Sequence, residues 1–268
     1  MREIDLPAYY ERIGLTEAPA ADLEGLAVLQ QAHLLSIPFE NLDVLLGRGV
    51  SLDPADVFEK LVVQRRGGYC FEHNLLFLDV LAAVGFAAGP LIGRVGIHAQ
   101  HEDDVPPLTH RLSLVTTGGG NWIADVGFGG SLAPLLPLED GATAQTTDGV
   151  AHRLRADAKH GWMMERDFGA GFRQQYSFTE QAAWPIDFAL GNHFTATAPS
   201  TLFTSHVIVN MPNTAGFVSL FDRKLRISAT ESREIADDED CRDVLSRHFG
   251  IEMPLEDVAR LKPFEAMA

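Results

Sequence analysis

Cysteine is nearly absent from this sequence: Cys70 and Cys241 are the only two in 268 residues. They stand far apart in segments of different character, which excludes a disulfide framework and leaves both thiols reduced. Positive charge is also short. The 21 Lys and Arg are outnumbered by 37 Asp and Glu, for a formal net charge of −16, and the basic residues are scattered. No stripe of them could track a phosphate backbone, so nucleic acid is excluded as a partner, and the acidic surface serves solubility. Long apolar runs are missing too. No stretch approaches the roughly 18 apolar residues of a membrane span, and "MREIDLPAYYERIG" carries charges where a signal peptide needs an apolar core. The expectation is a cytoplasmic protein with no membrane contact.

What is there is an ordinary globular composition. With 46% hydrophobic residues and neither repeats nor low-complexity segments, the chain can bury a substantial core without staples. Its first third reads as helical. "ADLEGLAVLQQAHLLSIPFENL" spaces Leu23, Leu26, Ala27, Leu29 and Leu34 close to a helical period until Pro38 stops it. "SLDPADVFEKLVV" offers Asp53 as an N-cap and Pro54 at the first helical position. A third helix starts at Tyr69 or Cys70, runs through "FEHNLLFLDVLAAVG" and ends at Gly85; apolar on most faces, it belongs between other elements.

After Gly85 short apolar runs separated by Gly and Pro read as strands: "PLIGRVGI", "HRLSLVTT", "NWIADVGF", "GWMMERD" and "GFRQQYSF", with "EDGATAQTTDGVAH" as an exposed hairpin or loop. Beyond Pro185, "SHVIVNM", "GFVSLFD" and "LRISAT" read as further strands, then "DDEDCRDVLSRHFG" and "PLEDVARLK" as helices. The class is α+β, divided as 1–86, 87–185 and 186–268.

Cys70 follows two glycines in "RRGGYCFEHN" and opens a helix. Free N–H groups of a first helical turn favour negative charge, and Gly67 and Gly68 let the backbone turn sharply and approach a ligand, so the thiol is placed to be a nucleophile. It is equally placed to be a small residue packed in a core. The sharper signal is "THRLSLVTTGGGNWIADVGF", two strands joined by a Gly-rich turn, with His110 on the first and Asp125 on the second. Whether Thr116 faces Asn121 or Val115 faces Gly120, both side chains share one face, about 4.5 to 8 Å apart at Cβ. That face also carries Leu112, Leu114 and Ile123, so a buried imidazole and carboxylate must pair. Such a pair beside a helix-start thiol is a Cys–His–Asp triad, or it is a structural pair.

"RRGGYCFEHN", "THRLSLV" and "WIADVGFGG", with "SIPFENLD" upstream and, more loosely, "NHFTATAPSTLFTSHVIVN" downstream, resemble the arylamine N-acetyltransferases of bacterial type. The resemblance implies an N-terminal helical bundle, a central β-barrel and a C-terminal α/β lid. It implies a ping-pong transfer of acetyl from acetyl-CoA, without a metal, to an arylamine, arylhydroxylamine or hydrazine, by a monomer or homodimer. Cys70 would be the nucleophile, His110 its base and Asp125 the orienter. Phe39 and Phe128 would form an aromatic wall, with Val95 and Phe203 as further substrate contacts, while Gly127, Phe128, Gly129 and Thr204 would meet the coenzyme. Tyr69 and Phe71, flanking the thiol, would point elsewhere.

Three side signals are discounted. His73, one turn from Cys70, is a rival base. "HAQHEDD", 98–104, lacks metal-ligand spacing and reads as a solvated acidic loop. Cys241 sits among carboxylates that disfavour a thiolate. The alternatives left open are a cysteine-triad hydrolase or amide-exchange enzyme, and a binding protein whose His–Asp pair is structural.

Overall fold

The structure, a computed structural model, describes residues 4–97, 104–146, 148–167, 169–213, 216–228 and 230–261. The first helices form where caps and apolar spacing coincide: α1 (Leu6–Arg12), then α2 (Leu23–Ser36), whose N-cap Asp22 accepts the Gly25 N–H at 2.8 Å. A short strand β1 (Phe39–Glu40) and one turn of helix, α3 (Leu42–Leu45), follow. Asp53 caps α4 (Pro54–Phe58), which relaxes into a π-helical turn over Glu59–Val63. The helix α5 (Cys70–Val84) ends on Gly85 in the left-handed region at φ 105°, a conformation that favours glycine. Ten of its fifteen residues are buried, because α1, α2 and α4 cover one side and strands the other. Leu26, Leu29, Leu61, Phe77 and Leu81 share a core with Val115 and Val126 from the strand region.

Eight strands come next: β2 (Ala87–Val95), β3 (Leu108–Thr117), β4 (Gly120–Ala124), β5 (Leu136–Pro137), β6 (Thr143–Gln145), β7 (Ala151–Asp157), β8 (Gly161–Asp167) and β9 (Phe172–Phe178). They form an antiparallel sheet in the order β5-β4-β3-β2-β9-β8-β7-β6, curled into a near-closed barrel. Leu91, Leu112, Ile123, Leu154, Met164 and Phe178 fill its interior. The expected hairpin in "EDGATAQTTDGVAH" is β6 turning into β7.

The sequence suggests no helix just after 184, yet α6 (Pro185–Thr197) forms there. Its inner face carries Phe188, Gly191, Asn192 and Thr195, whereas Ile186 and Leu190 on the outer face are exposed, which blurs the usual amphipathic pattern. Gly191 is needed for contact: a Cβ there would stand 2.5 Å from the Leu108 carbonyl and 2.9 Å from the Phe71 ring. The Arg111 guanidinium lies 4.3 Å over the Phe188 ring and ties α6 to β3. A 3₁₀ turn at Leu202–Thr204 leads to β10 (Ile208–Asn213), β11 (Gly216–Phe221), β12 (Lys224–Arg226) and β13 (Ser232–Glu234), then α7 (Asp238–Phe249) and α8 (Leu255–Arg260).

The second sheet runs β1-β10-β11-β12-β13. Its edge strand comes from the helical part, with Phe39 opposite Asn210 and Glu40 opposite Val209. The segment carrying Phe39 is thereby fixed between the helices and the C-terminal sheet.

Candidate active site

Cys70 is the first residue of α5, and its neighbours define the helix start. Tyr69 precedes it in extended conformation and donates its N–H to Glu72 Oε2 at 3.0 Å, while Lys60 Nζ donates to Glu72 Oε1 at 2.7 Å. The two glycines before it have a different purpose from the one suggested by sequence. Neither has positive φ. A Cβ on Gly67 would strike the Pro38 carbonyl, and one on Gly68 would stand 2.6 Å from Glu72 Oε2, so they permit close packing within the protein rather than ligand approach. Glu40 N–H donates to the Gly68 carbonyl at 2.7 Å, strapping this turn to β1.

Cys70 is buried, 5% exposed as a residue. Its thiol donates to the Thr109 carbonyl at 3.4 Å and stands close enough to the His110 imidazole to help raise its pKa. The β3–β4 hairpin takes the first of the two registers, Thr116 opposite Asn121 and Leu114 opposite Ile123. Strand pairing stops at Ala124, so Asp125 stands one residue past the strand instead of on it. The pairing of side chains survives: His110 Nε2 and Asp125 Oδ2 are 2.7 Å apart, and both residues are 1% exposed. The remaining ring nitrogen, Nδ1, is the one left for Cys70.

Asp125 is held from several sides. Its Oδ1 accepts from Asn74 Nδ2 and from the Gly127 N–H, each at 2.9 Å, and its own N–H donates to Gln30 Oε1 at 3.2 Å. Burial pushes its pKa up, but the His110 charge and these donors outweigh that and hold it below the ordinary value. Burial likewise pulls His110 down; the Asp125 carboxylate, its hydrogen bond and the adjacent Cys70 overcome it and carry His110 up to about 10. At neutral pH the imidazole is therefore protonated. Tyr176 and Phe128 wall it in, with ring centroids at 4.7 and 5.3 Å.

His73 is buried one turn along α5 but both its nitrogens are engaged elsewhere, Nδ1 with His33 Nε2 at 2.9 Å and Nε2 with the Pro38 carbonyl at 3.1 Å. Cys241 is fully buried, and burial followed by Asp238 and Asp240 pushes its thiol up to about 12. The acidic stretch 98–103 lies outside the described residues.

Around the thiol, Tyr69, Phe71 and Phe188 pack with Cys70, and Phe39 and Phe203 complete the cluster. Tyr69 and Phe71 thus belong to its surroundings rather than pointing away: the Tyr69 ring meets Phe71 at 5.7 Å and Phe203 at 5.8 Å, and its hydroxyl donates to Asn192. Val95 pairs with Tyr176 across β2 and β9, which puts both on the His110 face. Gly127 and Gly129 are filled in by the protein itself, since Cβ atoms there would stand 2.7 Å from Cys70 Cα and 2.7 Å from the Phe39 ring. The single Thr204 hydroxyl proton has two protein acceptors in reach, the Ala198 carbonyl at the end of α6 at 3.1 Å and the Thr201 carbonyl at 3.0 Å. Sequence reasoning missed Asn74 and Gln30. For Asn74 a signal existed, because it follows Cys70 by four residues on the same helix face; Gln30 had none.

A thiol, an imidazolium and a carboxylate gathered where a buried helix start meets a barrel wall are the parts of a cysteine-dependent acyl-transfer or hydrolytic enzyme. The comparisons narrow the class. The N-acetyltransferase family profile matches residues 22–258. The arylamine N-acetyltransferase of Escherichia coli is 36% identical over 251 residues, covering 91% of this chain and 87% of that one. Among solved structures, the arylamine N-acetyltransferase of Salmonella typhimurium superposes with a TM-score of 0.90 at 31% identity, covering 97% of this chain and 98% of the other. That of Mycobacterium marinum, solved in complex with CoA, gives 0.88 at 32% identity with 96% and 98% coverage. The chain belongs to the arylamine N-acetyltransferase family.

Proposed function

We propose that the protein acetylates arylamines, arylhydroxylamines or hydrazines at the expense of acetyl-CoA, through an acetyl thioester on Cys70. The reactive form is the thiolate, which has lost to solvent the proton it otherwise donates to Thr109 and is balanced by the His110 imidazolium; this thiolate attacks the carbonyl carbon of acetyl-CoA. The bond from that carbon to the coenzyme sulfur breaks, and the sulfur leaves with the proton that His110 holds. An amine then attacks the same carbon, gives its proton to His110 and releases Cys70 as thiolate, so the protonated imidazole is restored after each turnover. Asp125 keeps Nε2 occupied and the ring aimed through Nδ1.

The aromatic group of the acceptor would lie between Phe39 and Phe128, with Phe203 and Val95 beside them, where positioning in a dry slot removes much of the entropic barrier. The 127–129 segment and Thr204 would flank the coenzyme arm. The observation that carries this reading is the buried His110–Asp125 pair set against the Cys70 thiol at a helix start; the relative solved with CoA supports the donor. Intact-mass measurement after incubation with acetyl-CoA tests it. One acetyl group on the native protein and none on Cys70→Ala is expected; a wild-type protein that never gains acetyl overturns the proposal.

A further inference from the structure

His73 is not the base, and its engagement elsewhere has a physical consequence for the site. A chain of hydrogen bonds crosses the helical part: Tyr9 Oη to His33 Nδ1 at 2.8 Å, His33 Nε2 to His73 Nδ1 at 2.9 Å, and His73 Nε2 to the Pro38 carbonyl at 3.1 Å. Its three side chains come from α1, α2 and α5 and are at most 1% exposed. The last acceptor sets the direction of every proton. A carbonyl has no hydrogen to give, so His73 Nε2 must donate, and a neutral ring that donates at Nε2 accepts at Nδ1. His33 Nε2 therefore donates to His73, His33 Nδ1 accepts, and the Tyr9 hydroxyl is the terminal donor. Burial favours the neutral rings that this arrangement needs: it holds His73 down to about 4 and His33 well below the ordinary imidazole value.

The carbonyl at the end of the chain is next to Phe39. It also accepts the Gly68 N–H at 3.3 Å, two residues before Cys70. The Phe39 ring lies nearly parallel to the His73 ring, at 12° with centroids 6.4 Å apart, and meets Phe203 at 6.0 Å. One imidazole thus fixes both the backbone behind Phe39 and the face of its ring, from the same helix that begins with the nucleophile.

We propose that Tyr9, His33 and His73 are positioning residues for the acceptor amine: their directed chain holds Phe39 in register with Cys70, so it governs the second half-reaction and leaves thiol acetylation alone. The proposal rests on the acetyltransferase reading and deepens it. None of the three need touch a substrate; they act through Phe39. A glutamine at 73 could reproduce the end of the chain, donating from its amide nitrogen to Pro38 and accepting from His33 through its amide oxygen, whereas a leucine fills the space and does neither.

The test separates the half-reactions in wild type, His73→Leu, His73→Gln and Tyr9→Phe, each assayed well below its own melting midpoint. Acetylation of Cys70 is followed by intact mass, and transfer to an aromatic amine by single turnover of the pre-acetylated protein. His73→Leu should acetylate within about twofold of wild type while its KM for the aromatic amine rises about tenfold, the scale expected for a modest misplacement of a bound group. His73→Gln should restore that KM, and Tyr9→Phe should fall between. A His73→Leu protein with unchanged acceptor KM overturns the positioning role. Equal losses in both half-reactions without rescue by glutamine also overturn it, since they mark a residue that only supports the fold. A wild-type protein that takes no acetyl is a different failure: it removes the acetyltransferase reading and the acceptor role with it.

Discussion

Asn74 Nδ2 donates to Asp125 Oδ1 at 2.9 Å, so the helix that opens with Cys70 also holds the carboxylate that faces His110. The same nitrogen donates to the Arg111 carbonyl at 2.6 Å, and Asn74 Oδ1 accepts the Val126 N–H at 3.1 Å. One fully buried amide therefore sets the distance between the helix start and the hairpin. Asn74→Ala leaves a carbonyl and a carboxylate oxygen short of a donor. We expect a loss of about 1–3 kcal/mol in urea unfolding and a fall of about 100-fold in acetyl transfer, the scale of a displacement near 1 Å at a reacting centre. Full activity in a folded Asn74→Ala protein would show that the pair is aligned without it.

The histidines divide by sign in their effect on stability against pH. His110 is raised to about 10 in the fold, above its unfolded value of 6.5, so its contribution is complete below about pH 6.5 and is lost as pH rises toward 10. His73 and His152 are lowered to about 4 by burial, and His33 is lowered as well; the unfolded chain binds protons there that the fold refuses, so stability falls as pH drops from about 6.5 toward 4. Together they put the most stable point near pH 6.5. Urea midpoints across this range should decline on both sides, and Asp125→Asn should flatten the alkaline limb by removing what holds His110 up. A wild-type midpoint that climbs steadily from pH 6.5 to pH 9 would contradict the assignment.

Much of this was readable in the chain because the signals were local. Asp53, Pro54 and Gly85 mark helix ends through chemistry confined to a few residues, and the period of two in "HRLSLVTT" and "NWIAD" places His110 and Asp125 on one face before any tertiary contact is known. What escaped was decided by distant contacts. The helix α6 is stabilised by Phe188 under Arg111 and by Gly191 against Leu108, while its outer face keeps Ile186 and Leu190 in solvent, so no clean stripe announces it. Gln30 reaches Asp125 across 95 positions, a link no local pattern encodes. The purpose of Gly67 and Gly68 depends on Pro38 and Glu72 standing where their Cβ atoms would be.

Gly127 tests how tightly the hairpin exit is packed on the nucleophile. A Cβ there would stand 2.6 Å from Asn74 Nδ2 and 2.7 Å from Cys70 Cα; the second is buried backbone, and the first is pinned by its hydrogen bonds to the Arg111 carbonyl and Asp125. Gly127→Ala must therefore push Asp125 and the start of α5 apart. Overpacking of this kind costs about 1–3 kcal/mol, and acetylation of Cys70 should fall more steeply than stability. Gly89→Ala is the control, because nothing lies within 4 Å of its Cβ position and its φ is not positive. It should match wild type in both measurements. A Gly127→Ala protein indistinguishable from that control would mean that the close contact relaxes without consequence.

The two thiols should be chemically unequal. Cys241 lies at 0% exposure in the C-terminal core, among Val244, Leu245 and Leu220, and burial together with Asp238 and Asp240 pushes it up to about 12; at neutral pH it is a protonated, inaccessible thiol and a poor nucleophile. Cys70 has the His110 imidazolium as an electrostatic neighbour and stands at the start of α5. A small alkylating agent such as iodoacetamide should add once to the native protein at pH 7, and Cys70→Ala should add none until unfolded in urea, when Cys241 becomes reactive. Prior incubation with acetyl-CoA should block the native addition, since the same sulfur would carry the acetyl group. Two additions to the native protein, or one that survives Cys70→Ala, would place the reactive thiol elsewhere.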